Sequence, residues 1–360
     1  MRPEVLEGDV REVLKTLDDE SVQCVVTSPP YWGLRDYGTG TWEGGDPDCP
    51  HMRTTKIGKT VKTTTGHQAM HEQGNVVGDA IYKSKCPKCG AVRKDRQLGL
   101  EETPEKYVEN MVSVFQEVKR VLRNDGTVWL NLGDSYSSGG RKTQTTQTVR
   151  EGQEGTAVRP PIVEGIKPKD LIGIPWRVAF ALQEDGWYLR ADIIWNKPNP
   201  MPEAVNDRPT KSHEYIFLLT KSKKYYYDYE AIKEKGEYPA GTRAAKASDE
   251  RFSMGFVNSR PPEYKIYDGT RNKRSVWKIT TKPYKEAHFA TYPEELPETC
   301  IKAGTQKGDV VLDIFAGSGT TLRVASKLGR KGIGIELNPE YIKILKKRCK
   351  IESMSLEAFV

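Results

Sequence analysis

The stretch Val311-Leu312-Asp313-Ile314-Phe315-Ala316-Gly317-Ser318-Gly319-Thr320-Thr321 constrains the fold more than any other part of this chain. An apolar strand, Val310 to Phe315, runs into a glycine turn and re-emerges as a helix, Thr320 to Leu328. A second strand, Gly332 to Glu336, and a helix from about Pro339 to Cys349 follow. Strand, helix, strand in this order calls for a parallel pair, because parallel neighbours need a crossover rather than a hairpin. The glycines let the backbone approach a ligand closely at the strand's carboxyl end. Glu336 ends the next strand, where its carboxylate can accept hydrogen bonds from a ribose diol. Leu322 replaces the third glycine of the dinucleotide fingerprint. The turn therefore suits a nucleoside without a pyrophosphate, such as S-adenosylmethionine, with Asp313, Phe315, Ala316, Gly317, Ser318, Gly319 and Thr320 as contact candidates.

The rest of the chain repeats the alternation. Asp9 to Leu17 reads as a short helix, with Val10, Val13, Leu14 and Leu17 on one face. Gln23 to Thr27 is a strand that stops at Ser28-Pro29-Pro30, since two prolines end any ladder. Thr103 caps a helix with Pro104 in its first turn and a stripe of Val108, Met111, Val112, Phe115, Val118 and Leu122. Asn124-Asp125-Gly126 turns into the strand Thr127 to Leu132. A helix from Pro175 to Glu184 precedes two strands, Tyr188 to Trp195 and Tyr215 to Thr220. Together these predict a doubly wound α/β sheet.

Polar segments interrupt the pattern. Thr41 to Gly99 is an insertion with little periodicity, Ser137 to Glu164 is rich in Gly, Thr and Gln, and Ile232 to Arg274 is polar and basic. The net charge of +7 is concentrated in two places. Ala231 to Ala287 carries 13 Lys/Arg against 7 Asp/Glu, and Asp46 to Gly99 carries 10 against 5, so the remainder is net acidic. Basic stretches on an acidic body suit phosphate contacts, with Arg271, Lys273 and Arg274 as candidates. No apolar run is long enough to span a bilayer, and Met1-Arg2-Pro3-Glu4 opens no signal-like stretch. A cytoplasmic protein without a membrane partner is expected. Six cysteines are too few for a disulfide scaffold in a chain of 360 residues.

The chemistry is carried by Thr27-Ser28-Pro29-Pro30-Tyr31-Trp32. An exocyclic amino nitrogen is a poor nucleophile, because its lone pair is delocalised into the base. A hydroxyl from Ser28 and the Pro29 carbonyl could accept its two hydrogens and turn the lone pair toward a sulfonium methyl. Pro29 and Pro30 fix the loop, so the acceptors are preorganised. Tyr31 offers a face for a base flipped out of the duplex.

The combination resembles the β-class S-adenosylmethionine-dependent DNA amino-methyltransferases, in which a Ser-Pro-Pro-Tyr loop precedes a Phe-x-Gly-x-Gly turn. Two further motifs carry the resemblance: Gly8-Asp9, and His288-Phe289-Ala290-Thr291-Tyr292-Pro293. It implies that Asp9 contacts the cofactor adenine and that Phe289 and Thr291 cradle its methionine part. It implies a seven-stranded Rossmann-like sheet with one antiparallel strand, circularly permuted so that both chain ends complete the cofactor half. Trp32, Trp195 and Lys197 would then sit near the base pocket. The catalytic half would comprise 1–40 and 100–136, a mobile loop 137–170, the sheet-completing helix and hairpin 171–231, target recognition 232–287 and the cofactor half 288–360. Serine at the first loop position leans toward N4 of cytosine in double-stranded DNA, with N6 of adenine as the alternative. RNA or protein amide methylation fits less well, since those enzymes usually carry Asn there and reverse the motif order. Carbon-5 methylation lacks its Pro-Cys nucleophile. A non-catalytic zinc-bearing DNA-binding protein would leave both motifs unexplained. The oligomeric state stays open, with a dimer among the options.

Cys86-Pro87-Lys88-Cys89-Gly90 has zinc-knuckle spacing, and Cys49-Pro50-His51 lies upstream in the same insertion, 41–99. A segment so poor in apolar residues needs a staple to fold. One structural zinc held by Cys49, His51, Cys86 and Cys89 is expected, with His67 and His71 as rival ligands. The closed loop would lie beside the Ser28 loop, where it could help grip DNA.

Overall fold

The computed structural model describes residues 2–34, 37–55, 77–81, 85–137, 165–245, 264–282 and 291–351. One sheet organises them. Its strands are β1 (Glu4–Glu7), β2 (Val22–Thr27), β3 (Leu122–Leu132), β4 (Tyr188–Asn196), β5 (His213–Thr220), β6 (Val276–Lys278), β7 (Val310–Asp313) and β8 (Lys331–Glu336). They lie in the order β1-β8-β7-β2-β3-β5-β4-β6. Only β5 runs antiparallel to its neighbours.

Two chain-distant strands meet at the centre. β7 pairs with β2 through Val311↔Cys24 and Leu312↔Val25. The glycine turn and the Ser-Pro-Pro loop therefore leave the same sheet edge side by side, where open α/β sheets bind ligands. β1 pairs with β8 along Glu4↔Ile333 to Glu7↔Glu336, which brings Gly8 and Asp9 to that edge as well.

Helices cover both faces. On one, α1 (Pro104–Val121) and α2 (Ile174–Glu184) bury Tyr107, Met111, Phe115, Val178 and Leu182 against Leu130 and Phe217. Thr103 caps α1, its hydroxyl accepting from Lys106 N at 3.2 Å. On the other, α3 (Glu295–Gly304) and α4 (Thr320–Lys327) pack Cys300, Ile301, Val324 and Ala325 against Trp129, Trp195 and Trp277. α5 (Pro339–Arg348) closes the β1 end through Leu345 and Ala316.

The seven expected strands are eight. Val276–Lys278, placed from the sequence in the target-recognition region 232–287, adds to β4 as an edge strand. Its three residues alternate exposed, buried, exposed, and the 4% exposed Trp277 is what fixes it. The turn expected at Asn124-Asp125-Gly126 is a loop-out inside β3: Val22 pairs with Leu122, but Cys24 already pairs with Thr127. Gly126 is needed there, because a Cβ would lie 2.9 Å from the Gln23 carbonyl oxygen. Most of the 137–170 loop, and Phe289, His67 and His71, lie outside the described residues. Among the described residues no helix is long and apolar enough to cross a membrane.

Candidate active site

A cleft opens at the carboxyl edge of the parallel strands, where open α/β sheets bind their ligands. The end of β1 supplies Gly8, Asp9 and Val10, and the end of β2 supplies Ser28 and Pro30. Phe315, Gly317 and Ser318 come from the glycine turn, Glu336 and Asn338 from the end of β8, and Thr291 from the segment before α3. The ends of the 41–99 insertion contribute too: Tyr37 and Thr39 precede it, and Arg96, Gln97 and Leu98 close it.

The glycine turn is organised by Glu336. Its Oε2 accepts from Gly317 N and its Oε1 from Asn338 N, each at 2.8 Å. Burial raises the Glu336 pKa, against the lowering exerted by those backbone N–H groups. Gly317 has φ of +49° and Gly319 of +77°, so both sit in the left-handed region. A Cβ on Gly319 would lie 2.7 Å from Leu345. Ala316 is buried, and Ser318 and Thr320 accept from the Arg348 guanidinium at 2.7 and 2.8 Å.

Asp313 does not line the cleft. It is 1% exposed and ties the two motifs together. Its Oδ1 accepts from Thr27 Oγ1 at 2.8 Å, across 286 residues of chain. Its Oδ2 accepts from Tyr292 OH at 3.0 Å and Thr321 Oγ1 at 2.7 Å. Burial pushes this carboxyl up, opposed by those hydroxyls and by Phe315 N. Because Thr27 immediately precedes Ser28, Asp313 positions the Ser28 loop relative to the glycine turn. Asp9 caps the short helix Val10–Val13 by accepting from Arg11 N at 3.0 Å, and it lines the cleft. Burial works to raise the Asp9 pKa, but the Arg11 guanidinium outweighs it and holds the group below the usual range.

Beyond Ser28 lies a polar network that the sequence does not announce. The Ser28 hydroxyl reaches Tyr31 OH at 3.3 Å, and Tyr31 OH donates to Glu214 Oε2 at 2.7 Å. The Asn131 amide donates to Glu214 Oε2 at 2.9 Å and lies 3.3 Å from Ser28 Oγ. Lys197 Nζ donates to Glu214 Oε1. Burial raises the Glu214 pKa, yet the Lys197 charge and the bonds from Lys197, Asn131 and Tyr31 hold it below the usual range. Burial and the Glu214 carboxylate push the Tyr31 phenol well above its ordinary value. The one signal for Glu214 is its period-2 register with buried Ile216 and Leu218 on β5.

The loop backbone is held from below. Tyr107 OH donates to the Pro30 carbonyl at 2.9 Å, and Pro29 is buried. Trp32 and Trp195 are core residues, not base-pocket walls. Trp32 is 1% exposed and donates its indole N–H to Glu101 O at 2.9 Å; Trp195 is 4% exposed and donates to Ile279 O at 2.9 Å. An aromatic beside a motif satisfies burial before it serves a ligand. Lys197 lies 4.3 Å from the Trp195 ring centre while it bonds Glu214.

In the basic region, Glu234 Oε1 accepts from Arg271 Nε at 2.9 Å and Arg274 Nε at 2.6 Å. Lys273 Nζ lies 5.4 Å from the Trp277 ring centre. In the insertion, the ligand atoms of Cys49, His51, Cys86 and Cys89 all lie within 4.8 Å of one another.

The cleft makes a direct prediction. Glu336→Ala removes the expected ribose acceptor and frees the Gly317 N–H, so affinity for S-adenosylmethionine should fall about 10- to 100-fold. Gly317→Val should act in the same direction, because a β-branched residue resists φ of +49°. Calorimetric titration showing unchanged affinity for both variants would put the cofactor elsewhere.

The comparisons with known proteins agree with this geometry. The pattern of the N6/N4 family described as DNA methylase matches residues 22–347. The chain is 43% identical over 352 residues to the type II methyltransferase M.Cfr9I of Citrobacter freundii, covering 98% of this chain and 89% of that protein. It is 43% identical over 344 residues to the type II methyltransferase M.SmaI of Serratia marcescens, covering 96% and 89%. The fold is similar to that of the PvuII DNA methyltransferase (cytosine-N4-specific), with a TM-score of 0.56 at 18% identity over 99% of this chain and 89% of that one. It is also similar to a putative DNA modification methylase from Thermus thermophilus complexed with S-adenosyl-L-methionine, with a TM-score of 0.52 at 23% identity over 98% and 96%. A cleft that joins a Ser-Pro-Pro-Tyr loop to a glycine turn, in a sequence matched over nearly its whole length, identifies the chain as a member of the N6/N4 DNA methylase family, the S-adenosylmethionine-dependent DNA amino-methyltransferases.

Proposed function

We propose that this enzyme transfers a methyl group from S-adenosylmethionine to N4 of a cytosine flipped out of double-stranded DNA, at a specific site, as the modification partner in a type II restriction–modification system. The observation that carries the reading is that Ser28 lines the same cleft as Gly317 and Glu336. Serine, not aspartate, heads the Pro-Pro-Tyr loop, which favours cytosine. The circularly permuted strand order, a target-recognition role for 232–287 and a structural zinc in the insertion belong to the same reading.

In this mechanism Glu336 and the glycine turn hold the nucleoside, and Asp9 takes its adenine. The Ser28 hydroxyl and the Pro29 carbonyl accept the two amino hydrogens and aim the lone pair. Bound there, S-adenosylmethionine would supply the electrophilic methyl to the amino nitrogen, with the thioether sulfur as leaving group and the surplus amino proton passing to solvent. No strong base is required, since nitrogen becomes acidic only once methylated. Tyr31 supports the loop through Glu214 and presents its ring beside Gly133, where an added Cβ would lie 2.5 Å from it. Arg271, Lys273 and Arg274 are assigned to DNA phosphates; Glu234 holds the two arginines side by side, and Arg274 keeps 65% of its side chain exposed.

The test is product analysis. Duplex DNA treated with the enzyme and S-adenosylmethionine, digested to nucleosides and analysed by mass spectrometry, should contain N4-methylcytosine. N6-methyladenine in its place would assign the adenine alternative. Unmodified DNA from protein that binds both DNA and cofactor would favour a non-catalytic binding protein.

A further inference from the structure

Methyl transfer makes no use of the Cys-x-x-Cys pair, yet its surroundings are built. Cys49 Sγ lies 3.8 Å from Cys86 Sγ, and Cys89 Sγ lies 3.4 Å from His51 Nδ1. With Zn–S near 2.3 Å and Zn–N near 2.0–2.1 Å, a tetrahedron has S···S edges of about 3.8 Å and S···N edges of about 3.5 Å. The donor set, three thiolates and one imidazole, selects zinc over hard cations. It is the sole group of this kind among the described residues.

The cluster is wired to the cofactor cleft. The knuckle turn closes through Cys86 N to Ala91 O and Gly90 N to Cys86 O, both 2.8 Å. It leads straight into the strand Val92–Lys94, which pairs with Thr41–Glu43. Trp42 of that second strand stacks on the His51 ring, centroids 4.3 Å apart. Beyond the strand pair, Asp95 accepts from Arg93 at 2.8 Å and from Thr39 at 3.0 Å, and Gln97 accepts from Tyr37 N at 2.7 Å. Thr39, Tyr37 and Gln97 form the roof of the cleft. The roof meets the floor through Arg11 to Arg96 O at 3.0 Å, Asn338 to Tyr37 O at 3.2 Å and an edge-on contact of Tyr37 with Tyr341.

We infer that Cys49, His51, Cys86 and Cys89 hold one structural zinc ion, and that this ion clamps the roof of the cofactor cleft. The clamp rests on the reading that the cleft takes S-adenosylmethionine. Without the ion, the strand pair Thr41–Glu43 and Val92–Lys94 loses the staple that closes it, and the roof it leads into is held less firmly. Metal loss therefore weakens nucleoside binding, in addition to any effect on DNA.

Full-length protein purified without chelator should carry one zinc per chain by elemental analysis. Calorimetric titration with S-adenosylhomocysteine should show affinity roughly 5- to 150-fold weaker after the metal is stripped, restored when zinc is returned. By reciprocity the same nucleoside should weaken the loss of zinc to a chelator by the same factor, a readout that needs no turnover. Trp42→Ala, which leaves all four ligands in place, should keep its zinc and lose part of the nucleoside affinity. Protein without zinc overturns the site. Full zinc with equal affinity in loaded and stripped protein overturns the clamp. Zinc-loaded protein that fails to bind the nucleoside refutes the cofactor reading and the clamp together, while the zinc count still decides the metal site.

Discussion

Ser28→Ala is expected to lower kcat on duplex DNA by about 100- to 1,000-fold, the cost of removing one preorganised hydrogen-bond partner of the reacting group. Affinity for S-adenosylmethionine should change less than twofold, because in the proposed mechanism the hydroxyl acts on the base and Glu336 on the cofactor. Folding stability should move by no more than about 1 kcal/mol, since the two contacts of Ser28 Oγ are both long, at 3.3 Å. Single-turnover kinetics at saturating cofactor separates these effects. A variant that turns over like the parent would remove Ser28 from the chemistry, and one that loses cofactor affinity instead would make it a binding residue.

The legible parts of this protein are those whose signal is local. Strand–glycine–helix at β7, the Pro-Pro stop after β2 and the Thr103 cap each need only neighbouring residues, and they appear where the periodicity puts them. The Cys-x-x-Cys spacing is local as well, and the four expected ligands converge. What escapes notice is set by distant partners or by very short elements. α3 begins Glu-Leu-Pro, so Pro297 in its first turn hides a helix that buries Cys300 and Ile301. β6 has three residues, too few for any period. Thr27 and Asp313 meet only because β2 and β7 are neighbours, and nothing near either residue reports it. Trp32 and Trp195 show the reverse error: proximity in sequence to a reactive motif says nothing about which way an indole points.

Glu214 is the residue whose removal should most clearly separate positioning from chemistry. Its carboxylate joins Lys197, Asn131 and Tyr31, and through Tyr31 and Asn131 it reaches Ser28. Glu214→Ala leaves the Lys197 ammonium, only 19% exposed, without its partner. That should cost about 2–4 kcal/mol of stability. It also releases the Tyr31 hydroxyl, and a loop displaced by about 1 Å should lose roughly 100-fold in kcat. A merely structural role predicts the stability loss alone, so kcat measured well below the melting temperature of the variant is decisive. The pH dependence gives a second, independent readout. Because the Glu214 pKa is depressed in the folded protein, the carboxylate contributes stability that is fully present above its ordinary value of 4.5. That contribution disappears as pH falls through the lower folded value. The gap in stability between parent and Glu214→Ala should therefore be constant near neutral pH and shrink below pH 4.5. A gap that stays constant down to about pH 3 would mean that the charge on Glu214 does not hold this network together, and that Lys197 and Tyr31 are fixed by packing.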